Sequence, residues 1–168
     1  SILDYCDALK AGELIDPSKP KRRVLGIDID IRKHNRLSIE AHPMSNYIDM
    51  IEGSSIDLNI IEKVKAYAAN YSRILISLDS NHTHDHVLAE LNAYASLTSL
   101  DSYCIVFDTI VEDMSDDLAE DRPWSPGNNP KTAVWEFLKT HPEFEVNKSI
   151  EKKLLITVAP DGYLKRVF

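Results

Sequence analysis

Acidic residues end three apolar runs in this chain. Asp28 and Asp30 end the first run, Asp79 ends another, and Asp108 ends a third. A strand-end aspartate commonly caps the turn or helix that follows it. Three such ends are harder to explain in that way, because the carboxyl ends of parallel strands meet at the sheet edge where ligands bind. We therefore expect these carboxylates to mark a binding edge.

The carboxylates suit two kinds of ligand. Asp28 can accept hydrogen bonds from both hydroxyls of a ribose, in a geometry that serves NAD and S-adenosylmethionine (SAM) alike. Asp79 and Asp108 are expected on neighbouring strands, where paired carboxylates suit a hard divalent cation such as Mg²⁺. Further oxygen ligands are available nearby, on Thr109, Glu112 and Asp113.

Three of the six histidines fall within residues 82–86. His82 follows Asp79 by three residues, so it could act as a general base toward a metal-bound hydroxyl. A zinc site is the alternative, because His82 and His86 are one helical turn apart. The segment is similar to the His-x-His-x-Asp-His motif of metallo-β-lactamase-like hydrolases, although its spacing is one residue short. For His84 and His86, a plain role as surface residues at a helix start is the simpler interpretation.

The spacing of apolar residues predicts the elements that position these side chains. The expected strands are 23–30, 47–52, 73–79 and 103–108. Helical patterns occupy 57–71 and 84–97, so the strands and helices alternate as in βαβ units. Most of the strands are continuously apolar, which is typical of strands buried on both faces. The sequence thus predicts an α/β, Rossmann-like fold with a mostly parallel sheet and helices on both faces.

The last third of the chain shows a different pattern. Asn129 before Pro130 predicts a helix start. Two strand-like runs, 153–158 and 163–168, flank a Pro-Asp-Gly turn, which predicts an antiparallel C-terminal hairpin. The segment 112–129 resists regular structure and carries Trp124, so it is a candidate lid or binding loop.

The composition narrows the classes of function. The chain has 168 residues and a net charge of −8, which disfavours broad contact with nucleic acid. From the sequence we expect neither a membrane helix nor a signal peptide. Its two cysteines make no disulfide framework. We expect one cytoplasmic domain over residues 1–168.

Several segments together resemble the cephalosporin hydroxylase / rhamnosyl O-methyltransferase family. The resemblance covers nearly the whole chain and is carried by the segments 24–30, 51–57, 77–82, 106–114, 122–130 and 154–164. It implies the fold of class I SAM-dependent methyltransferases, with wider similarity to metal-dependent catechol O-methyltransferases.

The resemblance also implies roles for the nucleotide-binding residues. Asp28 would hold the SAM ribose. Ser54, Ser55 and Ile56 would line the adenine pocket.

The remaining implied roles concern the metal and the base. Asp79, Asp108 and Thr109 stand where related enzymes bind Mg²⁺ or another divalent cation. His82 stands where they carry a Lys or His base. The implied reaction is a SAM-dependent, Mg-assisted methylation of a hydroxyl on a sugar, another small polyol or a secondary metabolite.

The family pattern also includes a first strand and a Gly-rich turn, which would come just before Ser1. The 168 residues do not contain them, and residues 1–9 match the helix that follows. We therefore expect an N-terminally truncated domain. Separately, the family resemblance and the predicted C-terminal hairpin lead us to expect self-association.

Two other functions stay open at this point. One is a metal-dependent hydroxylase or hydrolase that uses the cluster from His82 to His86. The other is a non-catalytic SAM-binding or interaction module.

Overall fold

The computed structural model describes residues 2–16 and 18–168, which form an α/β protein. The helices are α1 (Ile2–Ala11), α2 (Lys33–Glu40), α3 (Leu58–Ala68), α4 (His84–Tyr94), α5 (Pro130–Leu138) and α6 (Lys148–Leu154). The strands are β1 (Val24–Asp28), β2 (Ile48–Glu52), β3 (Ile76–Leu78), β4 (Tyr103–Val106), β5 (Phe144–Val146) and β6 (Tyr163–Arg166). Short 3-10 helices cover Ser45–Tyr47, Ala95–Leu97, Thr109–Asp113 and Asp116–Ala119. The chain divides into two compact units, residues 1–60 and 61–168.

The first unit contains a two-stranded parallel sheet. β1 pairs with β2 so that Val24 lies opposite Ile48 and Asp28 lies opposite Glu52. This confirms the parallel pairing expected for these two runs. β1 ends at Asp28 because the chain turns there, and the Asp30 amide donates to the Asp28 carboxylate over 3.0 Å.

The second unit contains a four-stranded mixed sheet in the order β3-β4-β6-β5. β3 and β4 are parallel, whereas β6 runs antiparallel to both β4 and β5. The prediction of a mostly parallel sheet is therefore wrong for this unit. The strand that changes the direction is β6, which enters between β4 and β5.

The core of the second unit lies between this sheet and its helices. Strand residues Cys104, Val106 and Leu164 are almost completely buried. Their helical counterparts are Leu91 of α4 with Val134 and Phe137 of α5. Burial of these apolar side chains fixes α4 behind β3 and β4, because such a core is close-packed.

The predicted C-terminal hairpin is wrong in its first strand. Residues 148–154 form α6, whose start is capped by the Asn147 side chain accepting from the Ser149 amide over 3.0 Å. The helix ends at Leu154, the next residue, Leu155, has a φ of +66°, and Ile156 is 91% exposed. β6 pairs instead with β4 and β5, so the antiparallel ending is confirmed with different partners. Local helix capping outweighed the strand-like composition of 153–158.

Within residues 2–16 and 18–168, no helix is both long enough and apolar enough to cross a bilayer.

Candidate functional site

Asp79, His82 and Asp108 converge in the second unit. The His82 Nε2 atom lies 3.0 Å from an Asp108 carboxylate oxygen and 3.7 Å from one of Asp79. One potential ligand atom from each residue lies within 4.8 Å of the others. The sequence-based expectation that Asp79 and Asp108 approach each other agrees with this geometry.

The parallel pair β3 and β4 brings the two aspartates together. Leu78 lies opposite Val106 in the register, and the Phe107 amide donates to the Leu78 carbonyl over 2.9 Å. Asp79 follows the end of β3, and Asp108 comes two residues after β4. The two carboxylates thus project from adjacent strand ends, at the edge where open parallel strands present ligand-binding groups.

Asp108 also redirects the chain. Its φ and ψ are 54° and 23°, in the left-handed region, and the 3-10 helix Thr109–Asp113 begins directly after it. Aspartate is among the few residues other than glycine that adopt this conformation readily. The side chain that faces His82 is therefore carried by a backbone turn that few other residues would tolerate.

His82 lies on a short turn that leads into α4. The Asn81 side-chain oxygen accepts from the Thr83 amide over 3.0 Å and from its hydroxyl over 2.8 Å. This turn fixes the backbone on the C-terminal side of His82. The side-chain exposures are 24% for His82, 29% for Asp108 and 62% for Asp79, so the cluster is reachable from solvent.

The donor set fits a divalent cation. Two carboxylates are hard oxygen ligands of the kind that Mg²⁺ prefers. A nearby imidazole nitrogen would also suit Mn²⁺, Fe²⁺ or Zn²⁺. The same geometry suits a base, because Asp108 can orient the His82 ring.

Thr109 has a different partner from the one expected. Its side chain is completely buried, and its hydroxyl donates to the Pro160 carbonyl over 2.6 Å. In this position Thr109 secures the chain that follows Asp108 to the loop before β6. Its role as a metal ligand stays a prediction.

His84 and His86 face other groups. The His84 ring lies 2.8 Å from the Thr132 hydroxyl and 3.3 Å from the Glu136 carboxylate. These contacts tie α4 to α5. Among the described residues, neither histidine joins a metal-like cluster with His82.

Glu90 is a feature that the sequence pattern did not single out. It is 2% exposed, and its carboxylate accepts from the Ser80 hydroxyl over 2.8 Å and lies 3.6 Å from His86 Nε2. Burial, together with the charge of Glu90, raises the pKa of Tyr94 and that of Cys104 to about 12 each. The only available signal was an acidic residue on the apolar face of α4, directly before Leu91.

The segment 112–129 is held by side-chain hydrogen bonds. Glu112 accepts from the Gly127 amide over 2.8 Å and from the Asn129 side chain. Asp113 binds the buried Lys131 amine at 2.6 Å. Both carboxylates therefore have partners within the fold, and their role as substitute metal ligands stays a prediction. Whether the segment works as a lid stays a prediction.

The residues expected to bind the nucleotide lie in the first unit. Asp28 is exposed at the end of β1, and its backbone carbonyl accepts from the Gly53 amide over 2.8 Å. This bond places the turn that contains Ser54, Ser55 and Ile56 beside the end of β1. Ser54 and Ser55 are half-buried, and Ile56 is 40% exposed. Their roles in binding a cofactor stay predictions.

Gly53 lets this turn pass close to α3. Its φ is +149°, and a Cβ atom there would lie 2.7 Å from Ile60 Cδ1. Only glycine combines this conformation with this approach.

Comparisons with known proteins place this geometry in context. The model of the Rhamnosyl O-methyltransferase/CmcI family matches residues 5–167. Proteins named rhamnosyl O-methyltransferase from Mycobacterium tuberculosis (strain H37Rv) and Mycobacterium bovis (strain BCG) are each 30% identical over 120 residues. The aligned region covers 69% of this chain and 46% of each relative, so the chain spans about half the length of the curated relatives it matches. No solved structure gives a significant match.

Proposed function

The chain belongs to the Rhamnosyl O-methyltransferase/CmcI family, and we propose that it carries the acceptor-activating site of a SAM-dependent, divalent-cation-assisted O-methyltransferase. The proposed acceptor is a sugar hydroxyl, as the names of the relatives suggest. The proposed architecture is the Rossmann-like one of class I methyltransferases. The observation that carries the proposal is the convergence of Asp79, His82 and Asp108 at adjacent strand ends.

The proposed chemistry assigns the two carboxylates to a cation. A divalent cation held by Asp79 and Asp108 would lower the pKa of an acceptor hydroxyl and orient its oxygen. SAM, when bound, would carry the methyl group on its sulfonium sulfur, and breaking of that S–C bond would release S-adenosylhomocysteine. Asp28, with Ser54, Ser55 and Ile56, is proposed to hold the ribose and adenine of SAM.

The proposed base is His82. It would accept the proton that leaves the acceptor hydroxyl, while Asp108, 3.0 Å away, would orient its ring. Because the base and the carboxylate are already close, little rearrangement of these two side chains is needed when the acceptor binds.

The test measures transfer of a labelled methyl group from SAM to methyl α-L-rhamnopyranoside by the whole gene product. We expect EDTA to abolish transfer and added Mg²⁺ or Mn²⁺ to restore it. Asp79→Ala and Asp108→Asn should each reduce transfer by about 100-fold or more, since each removes a ligand of the activating cation. Asp85→Asn is the matched control, because Asp85 is an exposed carboxylate in the first turn of α4.

Unchanged transfer by Asp79→Ala in the presence of EDTA would contradict the proposed mechanism. Calorimetry with SAM and S-adenosylhomocysteine separates the enzyme from a binding module. Binding of both compounds without transfer to any sugar hydroxyl would favour the module.

A further inference from the structure

Trp124 lies beside the proposed base. The centroids of its indole ring and of the His82 imidazole are 5.8 Å apart, and the two ring planes are inclined by 52°. The Trp124 side chain is half-buried, so part of its surface is open. An aromatic surface next to a proton acceptor is a common element of a small-molecule site.

The backbone on both sides of Trp124 is fixed. The carbonyl of Pro123 accepts from the Asn128 side chain, and the carbonyl of Ser125 accepts from the Asn129 side chain, each over 3.0 Å. Ser125 and Asn128 also exchange backbone hydrogen bonds of 3.1 and 2.9 Å. The tryptophan is therefore presented by a closed turn.

This turn is attached to the elements that carry the Asp79–His82–Asp108 cluster. Glu112, four residues after Asp108, accepts from the Gly127 amide and from the Asn129 side chain. The Asn128 side-chain oxygen accepts from the His84 amide over 3.0 Å, at the start of α4. His84 is two residues from His82, so the turn that carries Trp124 is hydrogen-bonded to the segment that carries His82. Ordering the ring before a ligand arrives lowers the entropic cost of binding.

The charges around the ring indicate which ligand fits it. Even when Asp79 and Asp108 share one divalent cation, their two charges balance it, so no excess positive charge is left to hold an anionic group at the reacting position. The Arg122 guanidinium lies 5.6 Å from the Trp124 ring centroid, which already supplies a cation to the indole. Because Arg122 already provides this cation, the open surface of the indole suits neutral, weakly polarised C–H groups. One face of a pyranose ring provides such groups.

We propose that Trp124 is the platform on which the acceptor sugar stacks, with a neutral pyranose as the ligand and its reactive hydroxyl directed to His82. The assignment of a sugar acceptor rests on the proposed function. At the observed separation of the two rings, a sugar on the indole can reach the imidazole with a hydroxyl of the same ring. The turn 123–129 then acts as a fixed wall of the site.

The first experiment measures binding without requiring catalysis. Trp124 and Trp135 are the two tryptophans of the chain, so the Trp135→Phe protein reports on Trp124 alone through its fluorescence. We expect a saturable change in this emission on titration with methyl α-L-rhamnopyranoside. The Trp124→Phe protein, whose emission comes from Trp135 on α5, should show none.

The second experiment measures steady-state transfer with the same sugar. Trp124→Leu should raise the KM for the sugar by about tenfold or more, because it removes one well-placed aromatic contact. The KM for SAM should stay unchanged. Trp124→Phe should recover part of the loss, because it keeps a ring. Trp135→Leu is the matched control, since Trp135 is 47% exposed and lies outside the cluster.

The outcomes separate this proposal from the proposed function. A saturable fluorescence change of Trp124 without methyl transfer would support the role of Trp124 as a sugar platform and overturn the assignment as an enzyme. Methyl transfer with an unchanged sugar KM in Trp124→Leu would overturn the platform role and support the assignment as an enzyme. A Trp124 response to methyl β-D-glucuronide but not to the rhamnoside would overturn the neutral-sugar assignment.

Discussion

His82 Nε2 lies 3.0 Å from a carboxylate oxygen of Asp108, at the point where the chain leaves β4 through a left-handed turn. The aspartate thus contacts the imidazole from the turn that directly follows the sheet. A base oriented by a carboxylate is a recurrent arrangement for removing a proton from a hydroxyl group.

Replacement of His82 by alanine should lower kcat for methyl transfer about 10²–10⁴-fold, the usual contribution of a general base. The KM for SAM should change little, because SAM is expected to contact other residues. Comparison of kcat and of the KM for SAM between this variant and the parent protein checks the role directly. His34→Ala, at an exposed histidine of α2, is the control. A variant with normal kcat would contradict the assignment.

Replacement of Glu90 by leucine should destabilise the fold by about 1–3 kcal/mol, because the Ser80 hydroxyl and His86 would lose a buried acceptor. Glu90→Gln keeps an acceptor oxygen and should lose less. Urea unfolding measures both free energies, with Glu62→Leu on the exposed side of α3 as the comparison. Equal stability of Glu90→Leu and the parent protein would show that this hydrogen bonding contributes nothing.

Replacement of Gly53 by alanine should cost about 1–3 kcal/mol of stability, since it adds backbone strain to a contact with Ile60. Gly12→Ala separates the two causes: Gly12 has a φ of +68°, but a Cβ atom there would have no neighbour within 4 Å. We expect the larger loss at Gly53. If Gly12→Ala is equally destabilising, the contact with Ile60 is unimportant.

Cys104 should be unreactive in the folded protein. Burial raises the pKa of its thiol from the ordinary 9.0 to about 12, aided by the charge of Glu90, and a protonated thiol is a poor nucleophile. A thiol reagent at about pH 8 should therefore modify the half-buried Cys6 alone, and the Cys6→Ala protein should react only after unfolding. Rapid modification of two thiols in the folded chain would contradict this.

The same pKa shift predicts a loss of stability in alkali. The unfolded chain releases the Cys104 proton above its ordinary pKa, whereas the folded chain retains it until about pH 12. Stability contributed by this group is therefore complete below about pH 9 and lost as the pH rises toward 12. Unfolding free energies across this range should fall less steeply in Cys104→Ala.

The candidate site was predictable to the extent that it depends on strand ends. Asp79 and Asp108 follow continuous apolar runs, and parallel pairing of those runs is enough to bring the carboxylates together. His82 was predictable from its spacing after Asp79. Trp124 could be singled out from the sequence as a large aromatic residue in a loop. Its contact with His82 could not be predicted, because that contact depends on hydrogen bonds between residues 112 and 129.

Other features result from competition between local patterns or from long-range contacts. Residues 153–158 are as strand-like as β6, yet the Asn147 cap and the helix after it leave Leu155 and Ile156 exposed. The hydroxyl of Thr109, whose role as a metal ligand stays a prediction, binds the Pro160 carbonyl 51 residues later. A long-range hydrogen bond of this kind is settled by tertiary packing.

Asn129 belongs to two structures at once. Its side-chain oxygen caps α5 by accepting from the amides of Lys131 and Thr132, while its amide group binds Glu112 and the Ser125 carbonyl. The turn 123–129, which carries Trp124, therefore cannot move away from the site without loosening the first turn of α5. Deuterium uptake at the amides of Lys131 and Thr132 would report how often this movement occurs.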